Sequence, residues 1–333
     1  MKAACLHETG RPDSIRIEDV DSPTPGDQQV LINVEAACVN PIDTYVRGGV
    51  IAFDLPDPYF PGCDAAGTVA AVGPSVKQFR VGDRVWCTNQ GLLGRQGTFA
   101  QQIAVDAQWC YETPDNVSSE DAAANALVGV TAHLGLFREA DLQPGETVLV
   151  IGGTGGVGSM VVQMAKAAGA KVITTAGSED KKALAKTLGA DVVIDYHTES
   201  IPEITKSVAP AGVNVFWETR REPDFDSAID LMAEKGRMVL MAGRDARPTF
   251  PVGPFYVKEC SLHGFVMFKG TPIELRKAAE QINAWMADGK LKANIGARFP
   301  LDQAARAHEL QESATLNGSG ELVGKIVIRV PPL

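Results

Sequence analysis

Residues 148–158 read Val-Leu-Val-Ile-Gly-Gly-Thr-Gly-Gly-Val-Gly and lead directly into an amphipathic segment. This pattern predicts a buried strand that turns through glycines into a helix. Gly153, Gly155 and Gly158 match the spacing G-x-G-x-x-G. In this motif the first glycine makes a tight turn, the second lets the backbone approach a pyrophosphate, and the third allows close helix-on-strand packing. A second strand-like run at 171–176 completes the context that the motif requires, so we expect a dinucleotide at this helix terminus.

Length and charge narrow the class of protein. The 333 residues are 45% hydrophobic and 22% charged, which predicts a globular chain of about two domains. A net charge of −10 argues against nucleic-acid and anionic-membrane partners, because both select clustered Lys and Arg. The amino terminus lacks an apolar signal core and no stretch of about 18 apolar residues occurs, so the cytoplasm and small-molecule ligands are expected.

The cysteines are expected to be free thiols. None forms a C-x-x-C pair, and a chain of this size does not depend on disulfides. Small, buried apolar groups are their usual role. The six stand at positions 5, 38, 63, 87, 110 and 260.

The residue pattern changes character along the chain. Residues 1–110 give short alternating or β-branched runs broken by Pro and Gly, which predicts a mostly β region. Ser118 and Asp121 form a capping-box pattern for a helix that runs towards Phe137.

An alternating α/β unit follows, and six near-continuous apolar runs predict a Rossmann-type, doubly wound, six-stranded parallel sheet covered by helices. The predicted strands are 148–152, 172–176, 192–196, 213–218, 237–242 and 261–268. Helices near 272–287 and 301–310 and a strand at 325–330 lie beyond the sixth strand. We expect this tail to return to the amino-terminal β domain, which leaves a ligand cleft between the domains.

The end of the second predicted strand indicates which dinucleotide binds. An NAD site places Asp or Glu there to hold the ribose 2′-hydroxyl, whereas this chain has the small residues Gly177 and Ser178, then Lys181. These leave room for a 2′-phosphate and supply a donor and a positive charge, so NADP (NADPH) is predicted. In the alternative, Glu179 or Asp180 reaches the ribose; acids in a first helical turn also complement the helix dipole.

Three further segments carry a family resemblance: NPIDTYVRGG at 40–49, PGCDAAG at 61–67 and VGDRV at 81–85. Together with the glycine motif they resemble the medium-chain dehydrogenase/reductase superfamily, and within it the zinc-independent, zeta-crystallin-like NADPH:quinone oxidoreductases. The resemblance covers nearly the whole chain and implies a homodimer. It also implies a GroES-like β-rich catalytic domain, which we place at 1–125 and 270–333, beside a Rossmann domain at 126–269.

Metal ligands are not expected. Zinc alcohol dehydrogenases of this superfamily carry Cys where this chain has Asn40 and a His-Glu pair where it has Cys63 and Asp64. A catalytic zinc needs three protein ligands, Asn is a poor one, and residues 127–132 offer no third soft ligand. The four-cysteine structural lobe is also absent, since only Cys87 and Cys110 lie in that region.

The resemblance implies a set of site residues. Tyr45, Asn40 and Asp43 are its catalytic candidates on the nicotinamide side, and Tyr45 is the candidate proton donor. Thr131 is implied at the nicotinamide end, Lys181 and Tyr196 at the adenosine phosphate, and Lys325 near the pyrophosphate. The remaining cofactor-binding candidates are Gly153, Thr154, Gly155, Gly156, Val157, Gly158, Gly177, Ser178, Gly243, Arg244, Phe265 and Val266.

Four of these candidates have a structural alternative. Asn40 can cap a short helix that has Pro41 at its first position, and Tyr45 can pack beneath that helix. Arg244 and Lys325 can be solvated charges.

Two segments depart from the quinone reductase pattern. The loop at 50–55 lacks a tyrosine usually found near Ile51, which predicts a more apolar pocket. After the fourth strand, Arg220 and Arg221 replace a small Asp-x-x-Gly turn; they either bind an anion or lie solvated on the surface.

Three functions fit these features. Passing hydride to an electrophilic quinone needs mainly cofactor positioning in a shielded cleft, so an NADPH-dependent, zinc-independent quinone reductase is expected. A reductase of α,β-unsaturated carbonyls, acting on an enone or enoyl thioester, shares the same hydride geometry. The third possibility is a non-catalytic NADPH-binding protein with a structural or regulatory role.

Overall fold

The computed structural model describes residues 1–316 and 321–333. The chain forms two compact units, one of Met1–Val130 with Gly270–Leu333 and the other of Thr131–Lys269. Among the described residues, no helix is both long and apolar enough to cross a membrane.

The amino-terminal part of the first unit is mainly β. Its strands are β1 (Lys2–Cys5), β2 (Arg16–Asp19), β3 (Gln29–Val39), β4 (Asp64–Val72), β5 (Arg84–Cys87), β6 (Gln102–Asp106) and β7 (Cys110–Glu112). Helix α1 (Pro41–Arg47) follows β3, and α2 (Ser119–His133) ends this part and continues into a π-helical turn at Leu134–Glu139. The predicted cap of α2 is confirmed, because the N–H of Asp121 donates to Ser118 Oγ over 3.1 Å.

The second unit alternates strands and helices. They are β8 (Thr147–Val150), α3 (Gly156–Ala167), β9 (Lys171–Ala176), α4 (Glu179–Thr187), β10 (Val192–Asp195), α5 (Ile201–Val208), β11 (Val213–Glu218), α6 (Phe225–Leu231), β12 (Met232–Leu240), α7 (Val252–Val257) and β13 (Ser261–Gly264). The six strands are parallel, in the order β10-β9-β8-β11-β12-β13. This confirms the predicted doubly wound sheet, whose order reverses between β8 and β11.

The carboxyl-terminal tail completes the first unit. It contains α8 (Pro272–Ala287), β14 (Ile295–Pro300), α9 (Ala304–Leu316) and β15 (Lys325–Arg329). Strand β15 pairs antiparallel with β3, with Val327 opposite Cys38. The predicted return of the tail to the amino-terminal sheet is therefore confirmed.

Several predicted bounds were wrong. The sixth strand ends at Gly264 rather than at 268, because its partner β12 ends at Leu240, opposite Gly264. Strand β12 begins at Met232, five positions before the predicted 237, and the last helix runs to Leu316 rather than to 310. Helix α8 matches its prediction, since Thr271 and Glu274 form a capping box before Pro272 at the first helical position.

Apolar side chains on one face of the parallel sheet form a continuous core. Leu149, Ile173 and Phe216 come from three neighbouring strands and are at most 1% exposed, and they share a cluster with Ile229 of α6. Burying one such side chain stabilises the fold by about 1.5–3 kcal/mol. This packing fixes the carboxyl ends of the strands, where the polar groups of the candidate site begin.

Candidate functional site

The turn between β8 and α3 has the form that the glycine motif predicts, with one correction. The left-handed residue is Gly152 (φ +78°) and not Gly153, to which we assigned the tight turn. A β-carbon at Gly153 would lie 2.1 Å from Thr174 Oγ1, and one at Gly158 would lie 2.2 Å from the carbonyl oxygen of Gly152. Gly153 therefore serves close packing against β9, and the packing role predicted for Gly158 is confirmed.

The backbone at the start of α3 is positioned to receive an anion. Gly155 is the N-cap, and Gly156 and Val157 provide the first turn of the helix. A β-carbon at Gly155 would make only an ordinary contact, 3.5 Å from the oxygen of Gly152. The free N–H groups and the positive end of a helix favour phosphate at such a terminus.

Two threonine hydroxyls hold this turn, and sequence reasoning missed both. The N–H of Gly152 donates to Thr175 Oγ1 over 3.0 Å, and Thr219 Oγ1 donates to the carbonyl oxygen of Ile151 over 2.6 Å. Thr175 is the last but one residue of β9, and Thr219 directly follows β11. These two strands flank β8 on either side. Their positions after buried strands could have indicated this role, but only once the strand order was known.

The residues predicted for the adenosine phosphate converge at the end of β9. Ser178 is the N-cap of α4, where its Oγ accepts the N–H of Lys181 over 3.3 Å. A β-carbon at Gly177 would lie 2.2 Å from Tyr196 Oη and 3.0 Å from His197 Nε2. His197 was not among the predicted residues, although it directly follows Tyr196, and the two rings lie 4.4 Å apart between centroids.

Two of the acids near this turn, Glu179 and Asp195, are paired. Lys182 Nζ lies 2.6 Å from Glu179 Oε1 and 3.5 Å from Asp195 Oδ2. The neighbouring Lys181 lies three positions after the N-cap Ser178 and takes no part in these two ion pairs. Lys182 thus pairs with Glu179, one of the two residues that the NAD alternative named; the other, Asp180, lies in the same first turn of α4.

Of the two arginines after β11, Arg220 has a buried ion-pair partner that neither prediction included. Arg220 forms a fork on Glu218, with Nη2 2.7 Å from Oε2 and Nε 3.0 Å from Oε1. The Glu218 side chain is fully buried, whereas that of Arg220 is 41% exposed, so Arg220 is an ion-pair partner and not a simply solvated charge. Hydrogen bonding to Glu218 raises the pKa of Arg220 further. The next loop passes close by, since a β-carbon at Gly243 would lie 2.4 Å from the carbonyl oxygen of Arg221.

Phe265 and Val266 line a cavity of about 480 Å³ after β13. The guanidinium carbon of Arg138 lies 5.5 Å from the centroid of the Phe265 ring. Arg138 belongs to the π-helical turn after α2, a distortion that is frequent at functional sites. Thr131 lies buried in α2, Thr154 is buried in the glycine turn, and Arg244 follows Gly243 in the loop after β12.

The first unit contains a buried polar network, which we call the Lys325 network. Lys325 Nζ donates to the carbonyl oxygen of Val39 over 2.8 Å and to Asn40 Oδ1 over 2.5 Å. Asn40 Nδ2 donates to Asp64 Oδ2 over 2.8 Å, and Thr88 Oγ1 donates to Asp64 Oδ1 over 2.6 Å. The solvated-charge alternative for Lys325 was wrong, because this residue is 5% exposed.

Asp43 extends the network to Cys63. Its Oδ2 accepts the N–H of Asn40 over 2.7 Å, and its Oδ1 accepts the thiol of Cys63 over 2.8 Å. Burial raises the pKa of Asp43 to about 7 and the pKa of the Cys63 thiol well above its usual range. Cys63 is therefore a protonated donor rather than a thiolate.

Asn40 does precede α1, with Pro41 at the first helical position, so its alternative as a structural residue at the helix start is confirmed. Tyr45 lies in α1 and is half-buried. Its carbonyl oxygen accepts the N–H groups of Val50 and Ile51 over 2.9 and 3.2 Å, which fixes the loop that departs from the family pattern.

No group of three or more His, Cys, Asp or Glu side chains within 1–316 and 321–333 could hold a metal ion. The six cysteines are buried free thiols. The positions that carry zinc ligands in the alcohol dehydrogenases are engaged otherwise here. Asn40 is a neutral amide, the Cys63 thiol donates a hydrogen bond to Asp43, and both oxygens of Asp64 accept hydrogen bonds. These residues do not fit a zinc ion.

Comparison with known proteins matches two family models: the alcohol dehydrogenase GroES-like domain at residues 26–115 and the zinc-binding dehydrogenase domain at 156–284. A quinone oxidoreductase of Homo sapiens is 33% identical over 332 residues, 98% of this chain and 97% of the relative. The structure of an Escherichia coli quinone oxidoreductase complexed with NADPH has a TM-score of 0.83 at 28% identity and covers 99% of this chain and all of its own. A structure described as an NAD-dependent alcohol dehydrogenase has a TM-score of 0.89 at 30% identity, with 99% and 100% covered.

Proposed function

We propose that this chain, which belongs to the quinone oxidoreductases of the medium-chain dehydrogenase/reductase superfamily, transfers hydride from NADPH to a quinone. The observation that carries this function is the pair of anion-ready sites in Thr131–Lys269. One is the glycine turn at the start of α3. The other is the end of β9, where Tyr196 and His197 lie against Gly177 and Ser178 caps the helix that carries Lys181.

These residues fit the two charged parts of NADPH. The start of α3 would hold the pyrophosphate through its N–H groups. Lys181 and the Ser178 hydroxyl would hold the 2′-phosphate, with Tyr196 beside them. The pairing of Lys182 with Glu179 and Asp195 offsets part of the negative charge near this position, which favours a phosphate there.

Phe265, Val266 and Thr131 are proposed at the nicotinamide end, and Gly243 and Arg244 alongside the cofactor. Bound NADPH supplies a hydride, and the protein contributes orientation and exclusion of water. Tyr45 is proposed to donate a proton to the reduced acceptor through its phenol. Solvent is the alternative proton source.

An apolar edge of the second unit bears on how the chain assembles. Exposed apolar side chains follow one another on α7 and the edge strand β13: Val252, Tyr256, Val257 and Leu262 are between 40% and 70% exposed. Such an edge fits a second copy of this chain in a homodimer.

We assign catalysis to residues 1–125 with 270–333 and cofactor binding to 126–269. Six buried thiols fit a reducing compartment such as the cytoplasm.

The acceptor class is tested by following nicotinamide absorbance with a matched panel of quinones and enones. Rapid oxidation of NADPH with quinones, in protein treated with a chelator, is the expected result. Turnover with enones alone would replace quinone reduction by reduction of activated carbon–carbon double bonds. Tight NADPH binding without turnover of any acceptor would instead indicate a non-catalytic protein.

A further inference from the structure

The ammonium group of Lys325 is committed within its own unit. It donates to Val39, the last residue of β3, and to Asn40, which directly precedes α1. These residues lie 286 and 285 positions away in the sequence. Lys325 is 5% exposed, and Asn40 and Asp64 are fully buried. Two of the three ammonium hydrogens of Lys325 therefore meet oxygen acceptors inside the unit, which leaves one hydrogen for any other ligand.

The rest of the network shows what Lys325 fixes. Asn40 uses its side-chain oxygen for Lys325 and its amide hydrogen for Asp64, so its orientation is set from both ends. Its backbone N–H is held by Asp43. The first turn of α1 is thereby bound to β15 and β4, and Tyr45 lies on this short helix.

Charge balance gives the same assignment. The network contains two carboxyl groups, those of Asp43 and Asp64, and one cation. Burial raises the pKa of both carboxyl groups, and the nearby charge of Lys325 opposes that rise at each of them.

We propose that Lys325 is a positioning residue that fixes Asn40 and the start of α1, and through them Tyr45, rather than a ligand of the cofactor pyrophosphate. This inference rests on the proposed function, because positioning matters only if the helix that carries Tyr45 serves hydride transfer. It reassigns a residue that the family resemblance placed at the cofactor.

The experiment compares Lys325→Met with Lys325→Arg and with Lys277→Met, which replaces an exposed lysine of α8. Three quantities are measured: the dissociation constant of NADPH by fluorescence titration, kcat at saturating NADPH, and the thermal unfolding temperature. For Lys325→Met we expect NADPH affinity within about threefold of the wild type and kcat at least about tenfold lower. Lys277→Met should match the wild type in all three.

A double-mutant cycle sharpens the result. If Lys325 acts through α1, adding Tyr45→Phe to Lys325→Met should lower kcat by much less than Tyr45→Phe lowers it in the wild type. Additive losses would overturn the proposal. A tenfold or greater loss of NADPH affinity with unchanged kcat would also overturn it and restore the pyrophosphate role.

Lys325→Arg keeps the charge and decides the matter if Lys325→Met does not fold. The longer, planar guanidinium cannot reproduce the contacts of an ammonium with Val39 and Asn40, so kcat should fall while NADPH binding persists; the reverse pattern contradicts the proposal.

Failure of the proposed quinone reduction is distinguishable from failure of the role proposed for Lys325. A wild type that binds NADPH but reduces no quinone defeats that function, and the affinities alone then decide the role of Lys325.

Discussion

The glycine turn with the end of β9 and the Lys325 network are built in opposite ways. In the first region, two strand-turn-helix segments place backbone N–H groups and the Ser178 hydroxyl at the starts of α3 and α4, and we propose that these groups and Lys181 bind a ligand. In the second, side chains from distant parts of the chain turn inwards and satisfy one another. The first region is therefore suited to binding an external anion, whereas the second is suited to holding a helix in place.

The largest expected effect is in the first region, at Gly158. A β-carbon there would lie 2.2 Å from the backbone oxygen of Gly152, so Gly158→Val must displace the turn. We expect a loss of about 1–3 kcal/mol in the free energy of unfolding and at least tenfold weaker NADPH binding. Denaturant titration and fluorescence titration measure the two. Gly253→Ala is the control, because a β-carbon there meets nothing within 4 Å. Normal NADPH affinity in Gly158→Val would refute the assigned turn geometry.

Tyr45 tests what the second region supports. Tyr45→Phe removes the proposed proton donor and should lower kcat by about 100-fold, with NADPH affinity unchanged. Steady-state kinetics with one quinone and a direct binding measurement separate the two. An unchanged kcat would remove Tyr45 from the mechanism and assign protonation to solvent.

Lys181 tests the cofactor specificity of the first region. Lys181→Met should weaken NADPH binding by about 10–100-fold, because a charge-assisted hydrogen bond contributes about 1.5–3 kcal/mol, while NADH binding stays the same. Titration with both cofactors provides the comparison. Equal losses for NADPH and NADH would mean that Lys181 does not contact the 2′-phosphate.

A pH dependence arises from a second buried group of the first unit, His308. Burial, together with the charge of Arg47, lowers the pKa of His308 to about 3. In the unfolded chain the pKa of His308 is about 6.5. Between these two pKa values, His308 therefore carries a proton in the unfolded chain but not in the folded chain. The free energy of unfolding should therefore fall as pH drops below about 6.5, by up to about 1.4 kcal/mol per pH unit.

Denaturant titrations between pH 7 and pH 4 compare the wild type with His308→Leu, which should flatten this dependence. His7→Gln is the control. Asp57 and Glu18 raise the pKa of His7, so protonation of His7 stabilises the folded chain at acid pH. Replacing His7 therefore cannot flatten the fall in the free energy of unfolding. Identical slopes for the wild type and His308→Leu would contradict the assigned burial of a neutral imidazole.

The smallest expected effect concerns His197, beside Tyr196. His197→Ala should weaken NADPH binding by about two- to fivefold, the range of an exposed charge contact, and leave NADH binding unchanged. Thr198→Ala, one position further in the same exposed turn, is the matched control. A loss shared by NADH would assign His197 to packing and not to the phosphate.

The sequence predicted the parts of this protein that depend on local backbone geometry. A strand, a glycine turn and a helix follow directly from apolar periodicity and from the conformations that glycine permits, so the six-stranded parallel sheet was predictable, whereas its strand order was not predicted. The exact ends were not predictable: β13 stops at Gly264 because β12 ends opposite it, which no local pattern contains.

The site was predictable only in its local half. Ser178 and Lys181 are neighbours on α4, whereas the contact of Lys325 with Asn40 depends on β15 pairing with β3. The hydroxyls of Thr175 and Thr219 meet the glycine turn through strand order. Contacts that join separate elements require the fold before their chemistry can be assigned.

The most direct test of the central claim is kcat/KM for NADPH and for NADH, measured with the same quinone in one preparation of the wild-type protein. A chain that reduces quinones and recognises the 2′-phosphate at the end of β9 should prefer NADPH by at least about tenfold. Equal use of the two cofactors, or no quinone reduction with either, would contradict the account.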